Sequence, residues 1–428
     1  MTQVINQKKP LHVNPFKLSQ PMGALIAFLG VKGCMPLMHG AQGCTNFTKV
    51  FFTRHFCEPI ALQTTAVNDM TAVVDGGGAG IAEAVETIGK SLTPELVGLF
   101  STGLTETKGD DLKAASDAIS FPSVYVNTPD YQGGFESGFA LTTQALIKQM
   151  IEPVEQINSK KALLLPHVSL QPIEVEKIKD MLEEFGYETY ALPDISTSLD
   201  GHLGEKQGSL SGGGITINDL KKLGDCGLIV SIGRSQKASA KVFQNIQKEV
   251  KHLHMDSIGG VTDCDLFVEK LMEVSGEEPS ARIKRWRARL CDLMLDVHFI
   301  TGKNRFVLMG EPDMLLGLSH ILAEVGGKIP LAVSSVNSPV LKDIKADRVL
   351  IGDMEDVENA ADEYDIVIGN FHAERMIKRL GKGYVVRGFP NWEQIGNQLT
   401  TDVLYEGSAY FLKELTNIII EETHCGTH

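Results

Sequence analysis

No two cysteines in this sequence are spaced as CxxC, which excludes a zinc ribbon and a ferredoxin-type cluster run. The seven cysteines, Cys34, Cys44, Cys57, Cys226, Cys264, Cys291 and Cys425, are odd in number and irregular in spacing. In a chain of 428 residues so few cysteines make no disulfide framework. The dinucleotide fingerprint GxGxxG and the phosphate loop GxxxxGK[ST] are missing as well. In Gly76-Gly77-Gly78-Ala79-Gly80, Ile81 and Glu83 stand where a glycine is required, so the run reads as a turn and not as a phosphate cradle. Gly212-Gly213-Gly214 has no lysine after it and reads the same way. There is no GxSxG elbow and no HExxH helix, so a self-contained hydrolase or dehydrogenase has no supporting motif. Cations are in deficit, with 40 Lys+Arg against 54 Asp+Glu and a net charge of −14. That balance is the opposite of a phosphate-neutralising surface, and no nucleic-acid partner is expected. No apolar run reaches the ~18 residues that span a bilayer. The polar stretch 1–10 lacks the apolar core of a signal peptide. No membrane association and a reduced, cytoplasmic location are expected.

What is present is an ordinary globular composition, 43% hydrophobic and 22% charged. From residue 96 onward, short apolar runs alternate with longer amphipathic stretches. The strand-like runs are 96–101, 124–127, 162–167, 227–233, 305–310, 330–334, 348–352 and 365–370. They are apolar throughout and do not alternate, as befits strands covered on both faces. Helical spacing occupies 172–185, 281–298 and 312–325, with a last helix around 410–420. This rhythm predicts an α/β chain of three doubly wound, Rossmann-like domains with mainly parallel sheets flanked by helices. Polar stretches near 152–160 and 301–304 divide it into residues 1–155, 156–302 and 303–428, with the terminal helix packing back on an earlier domain.

Three features invite chemistry. Arg282, Lys284, Arg285, Arg287 and Arg289 form a basic run on a helix, which reads as a solvated face. His424, Cys425 and His428 carry metal-binding side chains, but at the end of the sequence they read as a frayed tail. The third is His39-Gly40-Ala41-Gln42-Gly43-Cys44-Thr45. Here a cysteine follows a glycine-punctuated loop, reached through the apolar run 24–29 and a linker at 31–38. Gly40 and Gly43 permit tight turns, so Cys44 is expected as an exposed thiol at a loop tip. One cysteine alone cannot hold a cluster, and a lone cysteine is commonly a buried apolar residue.

The stretch from Asn14-Pro15-Phe16 to Gln20-Pro21-Met22-Gly23-Ala24, followed by His39–Cys44, resembles the nitrogenase molybdenum–iron protein family. Further matching segments are Gly76–Gly78, Ser101-Thr102-Gly103, Gly109-Asp110-Asp111, Asp200-Gly201-His202, Gly310-Glu311-Pro312, Ile368-Gly369-Asn370 and Arg387-Gly388-Phe389-Pro390. That family holds two catalytic subunits, two cofactor-scaffold subunits and the dark protochlorophyllide reductase subunits. The HGxQGC segment is typical of its β-side members. Catalytic β subunits carry three cysteine ligands to an eight-iron P-cluster; here Ser19 and Leu104 stand at two of those positions and only Cys44 remains.

The resemblance therefore implies the β-side scaffold subunit, with no independent activity of its own. Cys44 would be this chain's ligand to the iron of an interfacial [4Fe–4S] cluster, the remaining ligands coming from a NifE-like partner in a heterotetramer. The FeMo-cofactor precursor, delivered from NifB, would be held mainly by that partner. The Fe protein and apo-nitrogenase would be transient partners. The alternative is a catalytic or electron-relay β-type subunit of a nitrogenase-like reductase. Cys34, Cys57, Cys226, Cys264 and Cys291 match no ligand position and are expected to be structural, buried thiols.

Overall fold

A computed structural model of the chain describes residues 2–6, 14, 16–68, 78–203 and 208–425. In the N-terminal part the elements are β1 (Gln3–Asn6), α1 (Gln20–Leu29), β2 (Cys34–His39), α2 (Gln42–Phe56), β3 (Gln63–Thr64), α3 (Gly78–Leu92), β4 (Leu96–Ser101), α4 (Gly103–Lys108), α5 (Leu112–Asp117), β5 (Ser123–Val126) and α6 (Phe135–Met150). The middle part has β6 (Asn158–Leu165), α7 (Pro172–Glu184), β7 (Glu188–Ala191), α8 (Ile217–Lys222), β8 (Cys226–Ile232), α9 (Lys237–Ile246), β9 (Lys251–Met255), α10 (Thr262–Ser275) and α11 (Ala281–Thr301). The last part has β10 (Arg305–Met309), α12 (Pro312–Glu324), β11 (Lys328–Ser334), β12 (Arg348–Ile351), α13 (Met354–Asn359), β13 (Ile366–Gly369), α14 (Phe371–Arg379), β14 (Gly383–Val386) and α15 (Leu404–Cys425).

These strands build three sheets, ordered β3-β2-β4-β5, β7-β6-β8-β9 and β1-β12-β11-β10-β13-β14. Every ladder among the described residues is parallel. β2, β4, β8, β13 and β14 are buried along their whole length, which is why such strands read as unbroken apolar runs. The expected runs coincide with β4, β5, β6, β8, β10, β11, β12 and β13 to within a few residues, and the expected helices with α7, α11 and α12.

The stretch 31–38 is a correction. It was expected as a linker, yet it contains β2, paired along its full length with β4. Cys-Met-Pro-Leu-Met-His has no β-branched residue, so the propensity signal is silent and burial alone makes the strand. β1 lies apart from its sequence neighbours and pairs with β12 in the last sheet. The terminal helix α15 packs on α11, with the Trp286 and Tyr410 rings 5.8 Å apart.

One close packing sets the frame for the site. A Cβ at Gly23 of α1 would fall 2.0 Å from the Phe135 carbonyl oxygen, and one at Gly138 of α6 would fall 2.0 Å from that of Gln20. The two helices therefore cross backbone against backbone, and only glycine fits at both positions. The crossing holds the start of α1, where Ser19 is the N-cap residue, against the start of α6. The Phe135 N–H donates to the Leu18 carbonyl at 3.1 Å and Gln20 Nε2 to Ser137 Oγ at 3.0 Å. Among the described residues no helix is long and apolar enough to cross a membrane.

Candidate functional site

In open parallel sheets, ligands gather beyond the carboxyl ends of the strands. Most of the segments that carried the resemblance lie at such ends. Ser101-Thr102-Gly103 leaves β4, Gly310-Glu311-Pro312 leaves β10, Gly369-Asn370 leaves β13 and Arg387–Pro390 leaves β14. Gly76 and Gly77 lie outside the described residues.

At the carboxyl end of the first sheet, His39 closes β2 and is buried. Its Nε2 is 2.9 Å from Asp110 and its Nδ1 is 2.9 Å from Thr65 Oγ1. Burial pushes its pKa below the usual histidine value, against the pull of Asp110. The His39 carbonyl accepts the hydroxyls of Thr102 and Thr105 at 3.1 and 3.0 Å. This clamp brings Thr102 so near Gly40 that a Cβ there would meet it at 2.7 Å. Gly40 is thus glycine for close approach. Gly43 is not, since a Cβ there would meet nothing within 4 Å.

The clamp aims α2 outward. Cys44 was expected at a loop tip; it sits instead in the first turn of α2, with Ala41 as N-cap, and it is exposed. Helix periodicity decides this, because Thr45 and Thr48 on the inner face are buried and donate to the Ala41 and Cys44 carbonyls at 3.3 and 2.9 Å. The first-turn N–H groups of a helix have no intrahelical acceptor, so this end suits an anionic ligand such as a cluster sulfide.

Apolar side chains stand exposed around the thiol. Phe47, one turn on, is 57% exposed, and Val50 continues the same side. The segment 391–399 flanks α2. Trp392 packs on Phe51 at 4.9 Å, Arg54 lies over the Trp392 ring, and Asn397 Nδ2 donates to the His55 carbonyl at 3.1 Å. That segment exposes Ile395 almost completely, at 94%, and Leu399. Leu104 is exposed in the first turn of α4, just past β4, and Tyr131 on the loop past β5.

Ser19 and Leu104 belong to the same neighbourhood. Asp130 accepts the N–H of Gly103, next to Leu104, at 2.9 Å, and the Ser19 hydroxyl stands near the same carboxylate. Burial raises the Asp130 pKa, and these two donors pull it back. Neither His39–Asp110 nor Asp130 was singled out from the sequence. Asp110 stood in a matching segment, but Asp130 carried no signal at all.

The remaining candidates resolve differently. Cys34, Cys226 and Cys264 are buried and Cys291 is half-buried, but Cys57 departs from expectation. It is exposed as the left-handed C-cap of α2. The basic run is exposed, as expected of a solvated face, and most of it pairs on the surface of the chain: Arg282 meets Glu184 and Glu406, Lys284 meets Glu278, Arg287 meets Asp265 and Arg289 covers Trp286. The side chains of His424 and Cys425, and all of His428, lie outside the described residues. Among the described residues no three His, Cys, Asp or Glu side chains are grouped to hold a metal ion.

The carboxyl ends of the second and third sheets look inward. Asp313, at the start of α12, accepts the N–H groups of Arg234 and Ser235 at 2.9 and 3.1 Å and the Ser235 hydroxyl at 2.7 Å. Its own N–H donates to Glu136 of α6 at 3.0 Å. The Arg234 guanidinium bridges Asp256 and Asp343. Burial and the neighbouring Asp313 raise the Glu136 pKa, and burial lifts Glu311 to about 7. All three parts of the chain are tied here.

Residues 19–420 match the family described as nitrogenase component 1 type oxidoreductase. The nitrogenase iron-molybdenum cofactor biosynthesis protein NifN of Rippkaea orientalis is 37% identical, over 99% of this chain and 97% of the relative. The proteins of that name from Nostoc sp. and Klebsiella pneumoniae are 36% and 31% identical, over 98% and 100% of this chain and 96% and 95% of theirs. The solved structure "Nitrogenase Cp1 at pH 6.5" superposes with a TM-score of 0.91 at 29% identity, over 98% of this chain and 95% of that one. On this agreement of sequence and fold over nearly its whole length, the chain belongs to the nitrogenase component 1 type oxidoreductase family.

Proposed function

We propose that this chain is a scaffold subunit for assembly of the nitrogenase iron–molybdenum cofactor. In this reading it pairs with a NifE-like subunit in a heterotetramer and gives Cys44 as its one ligand to an interfacial [4Fe–4S] cluster. One observation carries the reading: the thiol is exposed on the same helix as the exposed Phe47 and Val50, in a site where Ser19 and Leu104 replace thiolates. A single ligand is useless to a metal within one chain, and useful where a partner supplies the rest.

The residues fit that group. Cys44 is accessible, the first turn of α2 offers N–H groups toward anionic sulfide, and Phe47, Val50 and Leu104 would exclude water once a partner covers them. When bound, the cluster would join the two chains and stabilise the complex by mass action. A thiol binds iron as thiolate, so loading releases a proton from Cys44. The precursor delivered from NifB is held mainly by the partner. The Fe protein and apo-nitrogenase act on the complex only transiently, during maturation and transfer.

Native mass spectrometry under anaerobic conditions, on this chain co-expressed with its NifE-like partner, tests the proposal. The expected species is a heterotetramer with two four-iron clusters, and the Cys44→Ala complex has lost both. Eight-iron clusters in the wild-type complex, or iron unchanged in Cys44→Ala, would sink it. The family's oxidoreductase description and the likeness to a solved nitrogenase favour a second reading, an electron-relay subunit of a nitrogenase-like reductase. Substrate reduction by the purified complex with its reductant protein would establish that one instead.

A further inference from the structure

A cavity lies beyond the carboxyl ends of β6 and β10, where the middle and last parts of the chain meet. It measures about 50 Å³, several times the ~10–15 Å³ that admits one water. His167, Ser169, Glu174, Asp313 and Asp402 make its polar wall, and Met314, Leu318 and Ile321 lie on its apolar wall. A Cβ at Gly233 would meet Asp313 Oδ2 at 2.5 Å and the His167 Cβ at 2.7 Å, so both side chains stand against one turn. Ser169 is 8% exposed, and its Oγ has no hydrogen-bond partner. A buried hydroxyl so placed calls for an occupant that bonds to it.

The polar wall is short of positive charge. Three carboxyl groups line it, and no lysine or arginine does among the described residues. Glu174 accepts the N–H groups of Gln171, Asp402 and Val403 at 2.8, 2.7 and 3.3 Å. Burial and the neighbouring Asp402 nevertheless push its pKa up to about 8. Asp402 meets the buried Arg387 at 2.8 Å, but that guanidinium also serves Glu414 at 2.6 Å. The donors to Asp313 are the N–H groups of Arg234 and Ser235 and the Ser235 hydroxyl, all neutral. Burial pushes the His167 pKa below the usual histidine value, so the ring brings no charge. Buried negative charge is costly unless a cation meets it.

We infer that this cavity binds a small protonated primary amine. Its ammonium would donate to Ser169 Oγ and to the carboxyl oxygens of Asp313 and Glu174, three acceptors for three hydrogens. Its short alkyl group would lie on Met314, Leu318 and Ile321. Hydrogen bonding is favoured over metal ligation, because among the described residues no three His, Cys, Asp or Glu side chains are grouped to hold a metal ion. Gly317, Asp402 and Val403 are half-exposed and leave a way in. An amine held there would tie β6 and α7 of the middle part to α12 and the start of α15. Cys44 has no part in this site.

Ethylammonium is the probe, titrated into the full chain at constant ionic strength, with ethanol and potassium as controls. Calorimetry, melting temperature and hydrogen–deuterium exchange are read. Saturable binding, a higher melting temperature and slower exchange over residues 167–174, 313–321 and 402–403 are expected with ethylammonium alone. Ser169→Ala should melt like the wild type without the amine and bind it about tenfold more weakly, as the loss of one hydrogen bond to a charged group implies. Absence of saturable binding overturns the proposal. An equal response to ethanol overturns the cation, and an equal response to potassium overturns the hydrogen-bonded amine. Unchanged affinity in Ser169→Ala, or protection elsewhere in the chain, overturns the placement in this cavity. The wild-type exchange map decides the placement even where the variant folds poorly.

Discussion

At the carboxyl end of the first sheet, Cys44, Phe47 and Leu104 stand exposed, whereas at the carboxyl ends of the second and third sheets Asp313, Glu136 and Arg234 face one another and bond within the chain. The strand topology is alike in both regions. They differ in whether the chain satisfies its own polar and apolar groups. In the inner crevice the Asp313 carboxylate accepts three donors, while Ser169 Oγ and Glu311 Oε2 are buried there without a hydrogen-bond partner. The outer edge instead exposes apolar side chains.

This contrast is best broken from its closed side. Asp313→Ala leaves the partly buried N–H groups of Arg234 and Ser235 without their acceptor, where a fully buried orphan costs about 1–3 kcal/mol. A loss of roughly 2 kcal/mol in unfolding free energy is expected by denaturant titration. Iron bound through Cys44 in the surviving complex should be unchanged.

The packing of α2 on the segment 391–399 has a pH signature. Burial pushes His55 from 6.5 down to about 4. Its Nδ1 accepts the Asn391 N–H at 3.1 Å, so the proton of the neutral ring sits on Nε2, facing Gln171 Oε1 at 3.3 Å. The folded state holds the ring neutral. This contribution is therefore present in full above pH 6.5 and is lost as pH falls from there through about 4. The loss amounts to about 3 kcal/mol over that window. Thermal melts as a function of pH should show it, and His55→Gln should flatten that part of the curve.

The smallest effect on the chain itself belongs to the open edge. Phe47→Ser removes a half-exposed ring, so the isolated chain should keep its stability to within about 1 kcal/mol. Its affinity for the partner should fall about tenfold or more, as for a truncated interface anchor. Titration calorimetry of the two purified subunits measures this. Unchanged affinity would move the interface away from α2.

Legibility from sequence followed the same divide. Strands covered on both faces were readable, because burial demands apolar residues at every position; β4, β8 and β10 are examples. β2 was not, since Cys-Met-Pro-Leu-Met-His has the right polarity without the β-branched signature. Cys44 was found by resemblance, and its chemistry was expected from the thiol. Its helical setting was missed because Gly40 and Gly43 look alike in sequence, while only Gly40 is pressed by Thr102. Asp130 was invisible, because a carboxylate between Pro129 and Tyr131 reads as an ordinary loop residue until β4 and β5 bring it to Gly103.

The sequence by itself determined the α/β class and the parallel sheets, because periodicity is a local property. Only the tertiary structure decided that β1 joins the last sheet, that Arg282 and Arg287 of α11 pair with Glu184 and Asp265 and that Phe47 and Val50 stand exposed on the helix that carries Cys44. Those facts depend on contacts between residues tens to hundreds of positions apart, and such contacts are set by packing three sheets against one another.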